Sequence, residues 1–401
     1  DNTFVMPNEE VVVIATFEEG IHVKTYTELN NALTSKQDEY IILDNDLSIS
    51  SPIIMNSINY TKVVDLDGHT ITGNTYLLNI LGTAGNFEFK NGKLYALEGN
   101  RTIEISTTAG RIDFTNIEII SEKYNPIHIF STGGAIYFNE GSYIATENPN
   151  SSNSTICLNG STEGATVYIN GATIIAPSSV GGLGGGNTNK IKYELIKGTI
   201  HTIDFDSDRL IIFVYNSSDN VTISTFGSSE FYLDGEELNK STANIGSISG
   251  HILQFGPTGN FKNVVINSTS GGSLTTYQTK ALVGDKVYLA LTPDNYMRLK
   301  KMTITGPGLS GVTLNKDYSF KMPSVDVTLN VEFESDTKTI SFANNALGTI
   351  TSDINPALEG TEITLSVTPL KGYIVKAIHI YDLANNSTEI TDEVNFNLET
   401  M

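Results

Sequence analysis

Between Val63 and Ile266 one short pattern recurs, and it constrains the fold more than any other feature of the sequence. Two apolar residues flank one other residue, a polar residue follows, and glycine usually comes next. The copies read VDLDG, FEFKNG, IDFTNI, IYFNEG, VYING, ELIKG, FYLDG and FKNV. The glycine position falls at Gly68, Gly92, Ile117, Gly141, Gly171, Gly198, Gly235 and Val264, in steps of 24, 25, 24, 30, 27, 37 and 29 residues. A unit this short cannot bury its own apolar face, so successive units must stack on one another.

The pattern predicts a right-handed parallel β-helix of about eight coils, whose strands lie roughly 4.8 Å above those of the coil below. Equivalent residues then stack into columns. The expected inward column contains Val64, Leu66, Phe87, Phe89, Ile112, Phe114, Ile136, Phe138, Val167 and Ile169. The polar residues before the glycine position are expected at tight corners, where Asn and Gly accept a left-handed backbone and stacked Asn amides bond each other. These corner residues are Asp67, Asn91, Asn116, Glu140, Asn170, Lys197, Asp234 and Asn263.

The segment Thr25–Lys36, TYTELNNALTSK, is the one convincing helix in this part of the sequence. Thr27 is a reasonable N-cap, and Leu29, Ala32 and Leu33 form an apolar stripe. An open end of a β-helix would recruit other chains through its strand edges. We therefore expect this helix to cover the first coil, which begins with the following EYIILDNDLSIS.

Composition excludes several classes of protein. The net charge of −21, from 24 basic and 45 acidic residues, argues against a nucleic-acid partner because phosphate binding needs clustered Lys and Arg. No apolar run approaches the ~18 residues of a membrane span. Cys157 is the only cysteine, which leaves no disulfide framework or zinc-finger site. A sequence rich in Asn, Ser, Thr and Gly with Val/Ile/Thr alternation is typical of an all-β protein with many short strands.

Residues 21–268 resemble the pectate-lyase-like β-helix superfamily, and more closely its non-enzymatic surface members. The resemblance is carried by ELNNAL, IILDNDLSI and VVDLDGHTITG, which follow one another in this order. It implies a β-helix with a helical cap. It says little about function, because one fold can host many chemistries.

The last third of the sequence contains a second, longer repeat. Segments Gly271–Thr305 and Gly348–Ile380 align with a constant step of 76 residues, which places Gly284 on Gly360 and Thr292-Pro293 on Thr368-Pro369. Both resemble the divergent internalin-B-type repeats of bacterial surface proteins, which usually act as spacers. We therefore predict two small β domains, at 269–335 and 336–401, the second of them truncated.

The first residues copy the end of such a repeat. FVMPNEEVVVIATF at Phe4–Phe17 has the spacing of FKMPSVDVTLNVEF at Phe320–Phe333. We interpret residues 1–20 as the closing strand of a preceding repeat and the whole sequence as part of a longer surface protein. An orphan strand and a repeat without its closing strand are complementary, which suggests head-to-tail self-association through the N-terminal strand.

Candidate site residues lie between the two inward residues of each copy, where side chains point outward because strand residues alternate. This outward column is expected to contain Asp65, Glu88, Asp113, Tyr137, Tyr168, Glu194 and Tyr232. Three stacked carboxylates are unfavourable unless a cation compensates their charge. Lys90 and Arg111 are on the same face and are candidates for that role.

Two functions follow from this column. By resemblance to pectate lyases, Asp65, Glu88 and Asp113 would hold calcium and Arg111 would be the base of a polysaccharide lyase acting on an acidic glycan. The sequence contains no local motif of the catalytic families. Alternatively, Tyr137 and Tyr168 present stacked aromatic rings to the apolar face of a sugar or to a protein partner.

A separate acidic segment, DFDSD, places Asp204, Asp206 and Asp208 at alternate positions, as in calcium loops. The following Gly and the bidentate Glu of a complete loop are missing, so a solvated turn is the favoured interpretation.

Together these features predict an extracellular, non-catalytic module on a bacterial surface, with no required cofactor and calcium as the one candidate. Its expected partner is a host or environmental glycan or a surface protein. Catalysis of the lyase type is the alternative.

Overall fold

The structure is a computed structural model of the 401-residue chain. It describes residues 11, 19–56, 59–82, 85–98, 101–106, 110–130, 133–148, 154–158, 166–177, 181–185, 192–203, 209–214, 222–225, 229–238, 248–267, 269–309, 311–343, 346–358, 360–382 and 388–389. The orphan strand predicted within residues 1–20 lies outside these residues except for Val11, Glu19 and Gly20, so it stays a prediction.

One helix and a long series of strands make up the first two thirds of the chain. The helix is α1 (Tyr26–Thr34). The strands are β1 (Ile21–Val23), β2 (Glu39–Leu43), β3 (Leu47–Ile49), β4 (Ile53–Asn56), β5 (Lys62–Asp65), β6 (Thr70–Gly73), β7 (Leu78–Leu81), β8 (Phe87–Ala96), β9 (Ile103–Ile105), β10 (Arg111–Ser121), β11 (Ile127–Ile129), β12 (Ala135–Asn139), β13 (Tyr143–Thr146), β14 (Ile156–Leu158), β15 (Thr166–Ala176), β16 (Leu183–Gly185), β17 (Lys192–Thr202), β18 (Arg209–Val214), β19 (Thr222–Thr225), β20 (Ser229–Leu233), β21 (Glu236–Glu237), β22 (Ile248–Gly250), β23 (Ile252–Pro257) and β24 (Phe261–Ile266).

In the last third, strands are the only regular secondary structure among the described residues. They are β25 (Gly272–Thr275), β26 (Lys280–Leu282), β27 (Lys286–Tyr288), β28 (Ala290–Pro293), β29 (Met297–Thr305), β30 (Ser319–Lys321), β31 (Val327–Ser335), β32 (Gly348–Ser352), β33 (Leu365–Pro369), β34 (Tyr381–Asp382) and β35 (Thr388–Glu389). The prediction of an all-β chain is confirmed.

Residues 39–212 form a parallel β-helix, in which the chain visits three faces in each turn. Face 1 contains β2, β5, β12 and the first halves of β8, β10, β15 and β17, and β19 continues it beyond residue 212. Face 2 contains β3, β6, β13 and the second halves of those long strands. Face 3 contains β4, β7, β9, β11, β14, β16 and β18. Each strand pairs in parallel with the strand one turn later. Residues at equivalent positions of successive turns therefore lie on the same face.

The apolar columns fill the interior, as predicted. All ten residues of the expected inward column are at most 1% exposed. Phe114 stacks between Phe89 and Phe138. Its ring centroid lies 6.0 Å from that of Phe89 and 5.2 Å from that of Phe138. The apolar members of the short pattern therefore form one continuous core along the β-helix.

The corners between faces 1 and 2 carry the left-handed backbone that the sequence predicts. Asp67, Asn91 and Asn116 have φ values of 47°, 58° and 49°. In later turns a glycine takes this conformation instead, for example Gly171 at 109°. The Asn116 amide donates to Asn91 Oδ1 at 3.0 Å, which confirms the expected amide stacking at this corner.

Helix α1 covers the first coil, and its apolar residues Leu29, Ala32 and Leu33 are buried as expected. Its N-cap is Thr25 rather than the predicted Thr27. The Thr25 hydroxyl accepts from the backbone of Glu28, whose carboxylate accepts from the backbone of Thr25. This capping box satisfies two helix-end donors and explains why the helix begins two residues earlier.

The last two of the eight predicted copies do not lie in the parallel stack, because the stack ends with β18 on face 3 and with β19, which pairs in parallel with β17 on face 1. Strands β22 and β23 pair antiparallel with β18 and β17, and β20 pairs antiparallel with β23. The copy FYLDG therefore lies in an antiparallel cap. The copy FKNV lies in β24, which pairs with β26 and β31 of the following repeat. These two copies resemble coil strands only in their alternation, which antiparallel strands share.

The chain forms two compact units. The first contains the described parts of residues 1–267, 275–290 and 304–329, so strands of the first repeat pack with the β-helix. In the second, which contains the described parts of 268–274, 291–303 and 330–401, β32 pairs antiparallel with β33 and β34 with β35.

Candidate functional site

The candidate site is a column of side chains on the outside of face 1. Strand pairing places Glu88, Asp113, Tyr137, Tyr168 and Glu194 in register on five successive turns. The residues on either side of each point into the core, so these five point away from it. We call Glu88, Asp113, Tyr137 and Tyr168, together with Arg111, the face-1 ladder.

Two predicted members of the column are not in it. Asp65 pairs with Lys90, while Glu88 is in register with Val63. The register follows the apolar pair Val64 and Phe89, which are 25 residues apart, rather than the glycine corners, which are 24 apart. Burying the core residues together outweighs aligning the turns.

The other displaced residue is Tyr232, which lies in the antiparallel strand β20 and is 5% exposed. Its hydroxyl accepts a hydrogen bond of 2.6 Å from Lys280 Nζ. Tyr232 therefore belongs to the cap of the β-helix, and the three-carboxylate ladder expected from the sequence is reduced to Glu88 and Asp113.

Asp65 lies on the same face but outside the ladder, and it has its own hydrogen-bond partners. It accepts hydrogen bonds from the Tyr40 hydroxyl at 2.6 Å and from the Asn91 amide at 3.0 Å. Burial raises its pKa, but these hydrogen bonds outweigh burial and hold the pKa below the ordinary value. Lys90 Nζ lies 4.9 Å from the centre of the Tyr40 ring, so a cation accompanies this carboxylate.

Arg111 and Asp113 form a two-pronged ion pair. Arg111 Nε and Nη2 donate to the two Asp113 oxygens at 2.6 and 2.7 Å, and the Asn139 amide donates to the same carboxylate at 2.9 Å. The hydrogen bond to Asp113 raises the pKa of Arg111. The sequence-based expectation that Lys90 and Arg111 compensate the acids therefore agrees with the contacts observed.

The Arg111 guanidinium stacks on the Tyr137 ring, which in turn stacks on the Tyr168 ring. Its central carbon lies 3.9 Å from the centre of the Tyr137 ring. Tyr137 and Tyr168 are parallel within 4°, with centroids 4.2 Å apart. Both faces of the Tyr137 ring are covered, so a sugar cannot stack on it. The ladder can instead offer ring edges, phenolic hydroxyls and the 51% exposed Arg111 side chain to a ligand.

Protonation supports this hydrogen-bonding role. Burial, followed by the influence of Tyr168, raises the pKa of Tyr137, so this phenol is neutral and can donate a hydrogen bond over the physiological range. The ladder thus combines a fixed cation, a neutral phenol donor and the carboxylate of Glu88.

The lyase interpretation needs a different arrangement. A base must give up its proton, whereas Asp113 binds the protonated guanidinium of Arg111 and raises its pKa. In the part of the chain that the structure describes, no group of three or more His, Cys, Asp or Glu side chains is placed to hold a metal ion. Asp204, Asp206 and Asp208 lie outside the described residues.

Sequence reasoning missed Tyr40 and Asn139, which complete the surroundings of Asp65 and Asp113. The alternation in EYIIL could have indicated that Tyr40 points outward, because Ile41 and Leu43 of β2 point inward. No spacing rule would have found Asn139, since its contact crosses between turns of unequal length.

Comparison with known proteins supports the two architectural parts. Residues 20–173 match the family model of a pectate lyase-like adhesive domain. Residues 262–337 and 338–391 each match the model of a divergent InlB B-repeat domain. No curated protein and no solved structure gave a significant match. The chain is thus similar to surface adhesin-like modules, and the sequence-based resemblances are confirmed.

Both domain types are typical of cell-surface proteins. Among the described residues, no helix is long and apolar enough to cross a membrane.

Proposed function

We propose that this chain is an extracellular, non-catalytic module of a bacterial surface adhesin. In this proposal the face-1 ladder presents the binding surface for a glycan or a surface protein, and the two repeats act as spacers. The match to an adhesive domain supports a binding role over a catalytic one. The observation that carries the assignment to face 1 is the Arg111–Tyr137–Tyr168 stack.

The stack is already organised for binding. Asp113 fixes the Arg111 guanidinium through two hydrogen bonds, and the parallel rings restrict Tyr137 and Tyr168. A ligand that contacts them therefore immobilises few additional rotamers on binding. Tyrosine and arginine are also among the residues that most often dominate binding energy at interfaces.

Replacing Tyr168 by alanine should weaken ligand binding by about tenfold or more, which corresponds to the ~1.4 kcal/mol or greater loss of a binding hot spot. Arg111→Ala should have a similar effect, because it removes the exposed cation and leaves Asp113 with the Asn139 amide but without its positive partner. Binding is measured on a glycan array and on intact host or environmental cells, with the parent chain defining the ligand first.

Tyr124→Ala is the matched control, since Tyr124 is a 39% exposed tyrosine outside the ladder. It should bind like the parent. If Tyr168→Ala and Arg111→Ala also bind like the parent, face 1 is not the binding surface. An assay for polyuronate cleavage with calcium runs in parallel, and cleavage that Arg111→Ala abolishes would favour the lyase alternative.

A further inference from the structure

Face 3 carries a second column of outward positions, occupied by Asn79, Glu104, His128, Cys157 and Gly184. Strand pairing places them in register on five successive turns, from β7 to β16. Their strand neighbours, which include Ile127 and Ile129 beside His128, are core residues. The column therefore points away from the core, like the ladder on face 1.

This column is unusual because polar atoms in it are buried without partners. His128 is 4% exposed, and neither of its ring nitrogens has a hydrogen-bond partner. Asn79 Oδ1 is also buried and unpaired. Of the four such atoms found among the described residues, three lie in this column. Buried polar atoms in folded proteins nearly always have a partner, so this site calls for one.

The neighbouring charges are already balanced. Arg101 forms an ion pair with Glu104, and its guanidinium lies 5.3 Å from the centre of the Phe130 ring. The centroids of the Phe130 and His128 rings are 4.0 Å apart. Burial, together with the Arg101 charge, lowers the pKa of His128 to about 3, so the imidazole is neutral with a lone pair available. A group bound here must leave this region electrically neutral.

We propose that His128 and Cys157 together bind a monovalent thiophilic metal ion, of the Cu(I) or Ag(I) class, between two successive turns of face 3. Thiolate sulfur is a soft ligand that selects ions such as Cu(I), and imidazole nitrogen also suits copper. Ions of this class accept two ligands in a line, so no third protein ligand is needed. Cys157 is partly exposed and gives the ion access from solvent.

The spacing of the β-helix fits a linear site. His128 and Cys157 are paired residues of adjacent strands, whose spacing is about 4.8 Å. Bonds of about 2.0 Å from nitrogen and about 2.3 Å from sulfur, taken from zinc sites, span roughly 4.3 Å between the two ligand atoms. Two side chains that leave paired positions of adjacent strands in the same direction are therefore within range of such a site.

Charge balance selects a monovalent ion. On binding, the sulfur–hydrogen bond of Cys157 breaks, the proton leaves to solvent, and the sulfur and the His128 nitrogen each bond to the metal. A single positive charge on the metal and the thiolate charge then cancel. A divalent ion such as Zn²⁺ would leave one uncompensated positive charge in a buried site beside Arg101, which is costly.

The test is competition for Cu(I) without oxygen, with the ion supplied as its bathocuproine disulfonate complex to the full chain. The parent should take up a single ion per chain, and Cys157→Ser should lose this uptake. His128→Phe should weaken affinity by about 100-fold, which is the upper end of what even an outer-shell partner contributes to a metal site. In the parent, ¹⁵N NMR of labelled histidine should show the ring signals of His128 shifting with Cu(I).

His22→Phe is the matched control, because His22 is exposed, pairs with Asp44 and lies in β1, outside this column. It should bind like the parent. Circular dichroism establishes that each variant is folded, and a His128→Phe chain is expected to fold because it loses two unpaired buried atoms. Three results would each overturn the proposal: no Cu(I) uptake by the parent, unchanged affinity in His128→Phe, or equally tight binding of Zn²⁺.

Discussion

Replacing Phe114 by alanine should lower the free energy of unfolding of the β-helix by about 3–5 kcal/mol. Phe114 is fully buried and stacks on Phe89 below and Phe138 above. Truncation removes its apolar burial and leaves a cavity in the middle of a continuous core. Coils that contact only their neighbours cannot relax far to fill such a gap.

The measurement is urea unfolding followed by circular dichroism, together with hydrogen exchange of the amides in β8, β10 and β12. Exchange should accelerate most in these strands, because stability in a stacked fold is local. Phe114→Leu should cost less, since it keeps most of the apolar volume, and Tyr124→Ala should stay within about 0.5 kcal/mol of the parent. A loss below about 1 kcal/mol in Phe114→Ala would mean that the observed register is wrong.

Replacing Lys62 by methionine should destabilise the chain by about 3–5 kcal/mol, although methionine is the more apolar side chain. Lys62 is fully buried beneath α1. Its Nζ donates to Ala32 O at 2.9 Å, to Ser35 Oγ at 2.5 Å and to Glu39 Oε2 at 2.9 Å. Removal of the lysine leaves the nearly buried Glu39 carboxylate without its cation.

The double variant Lys62→Met/Glu39→Met separates the pair from its parts. It should recover most of the lost stability, because replacing a whole buried ion pair by apolar residues is often neutral or stabilising. The comparison uses urea unfolding of the parent, the two single variants and the double variant. If the double variant is as unstable as Lys62→Met, the cost does not come from an unpaired Glu39.

The same pair gives a pH dependence of known sign. Burial raises the pKa of Glu39, but hydrogen bonds from Lys62, Ser35 and Gln37 outweigh it and leave the pKa below its ordinary value of 4.5. The stabilisation is therefore present above pH 4.5 and is lost as the pH falls through the lower pKa of the folded state. This acid-dependent loss should be absent from the double variant.

Much of the architecture follows from local pattern alone. Alternating apolar residues place Phe89, Phe114 and Phe138 in the core, because strand side chains alternate and equivalent strands stack. Asn and Gly at the corners mark where the backbone turns, since they tolerate positive φ. These preferences act within a few residues, which is why the β-helix, its helical cap and the repeats could be recognised without coordinates.

The candidate site depended on register, which local pattern does not specify. The glycine positions of successive coils are 24 to 30 residues apart, so spacing could not show that Asp65 stacks on Lys90 rather than on Glu88. A shift of one residue changes which charges meet without altering the alternation that defines a strand. Tyr137 and Tyr168 could be placed because their strands pair without a register shift at these two residues.

Other features arise only when distant segments pack together. The pairing of Lys62 with Glu39, the antiparallel end of the stack and the juxtaposition of His128 with Cys157 join residues 23 to 57 positions apart through burial and pairing. No local preference of the backbone encodes such contacts. They are set by which arrangement buries the apolar columns while leaving the fewest polar groups unpaired, and that balance exists only in the tertiary structure.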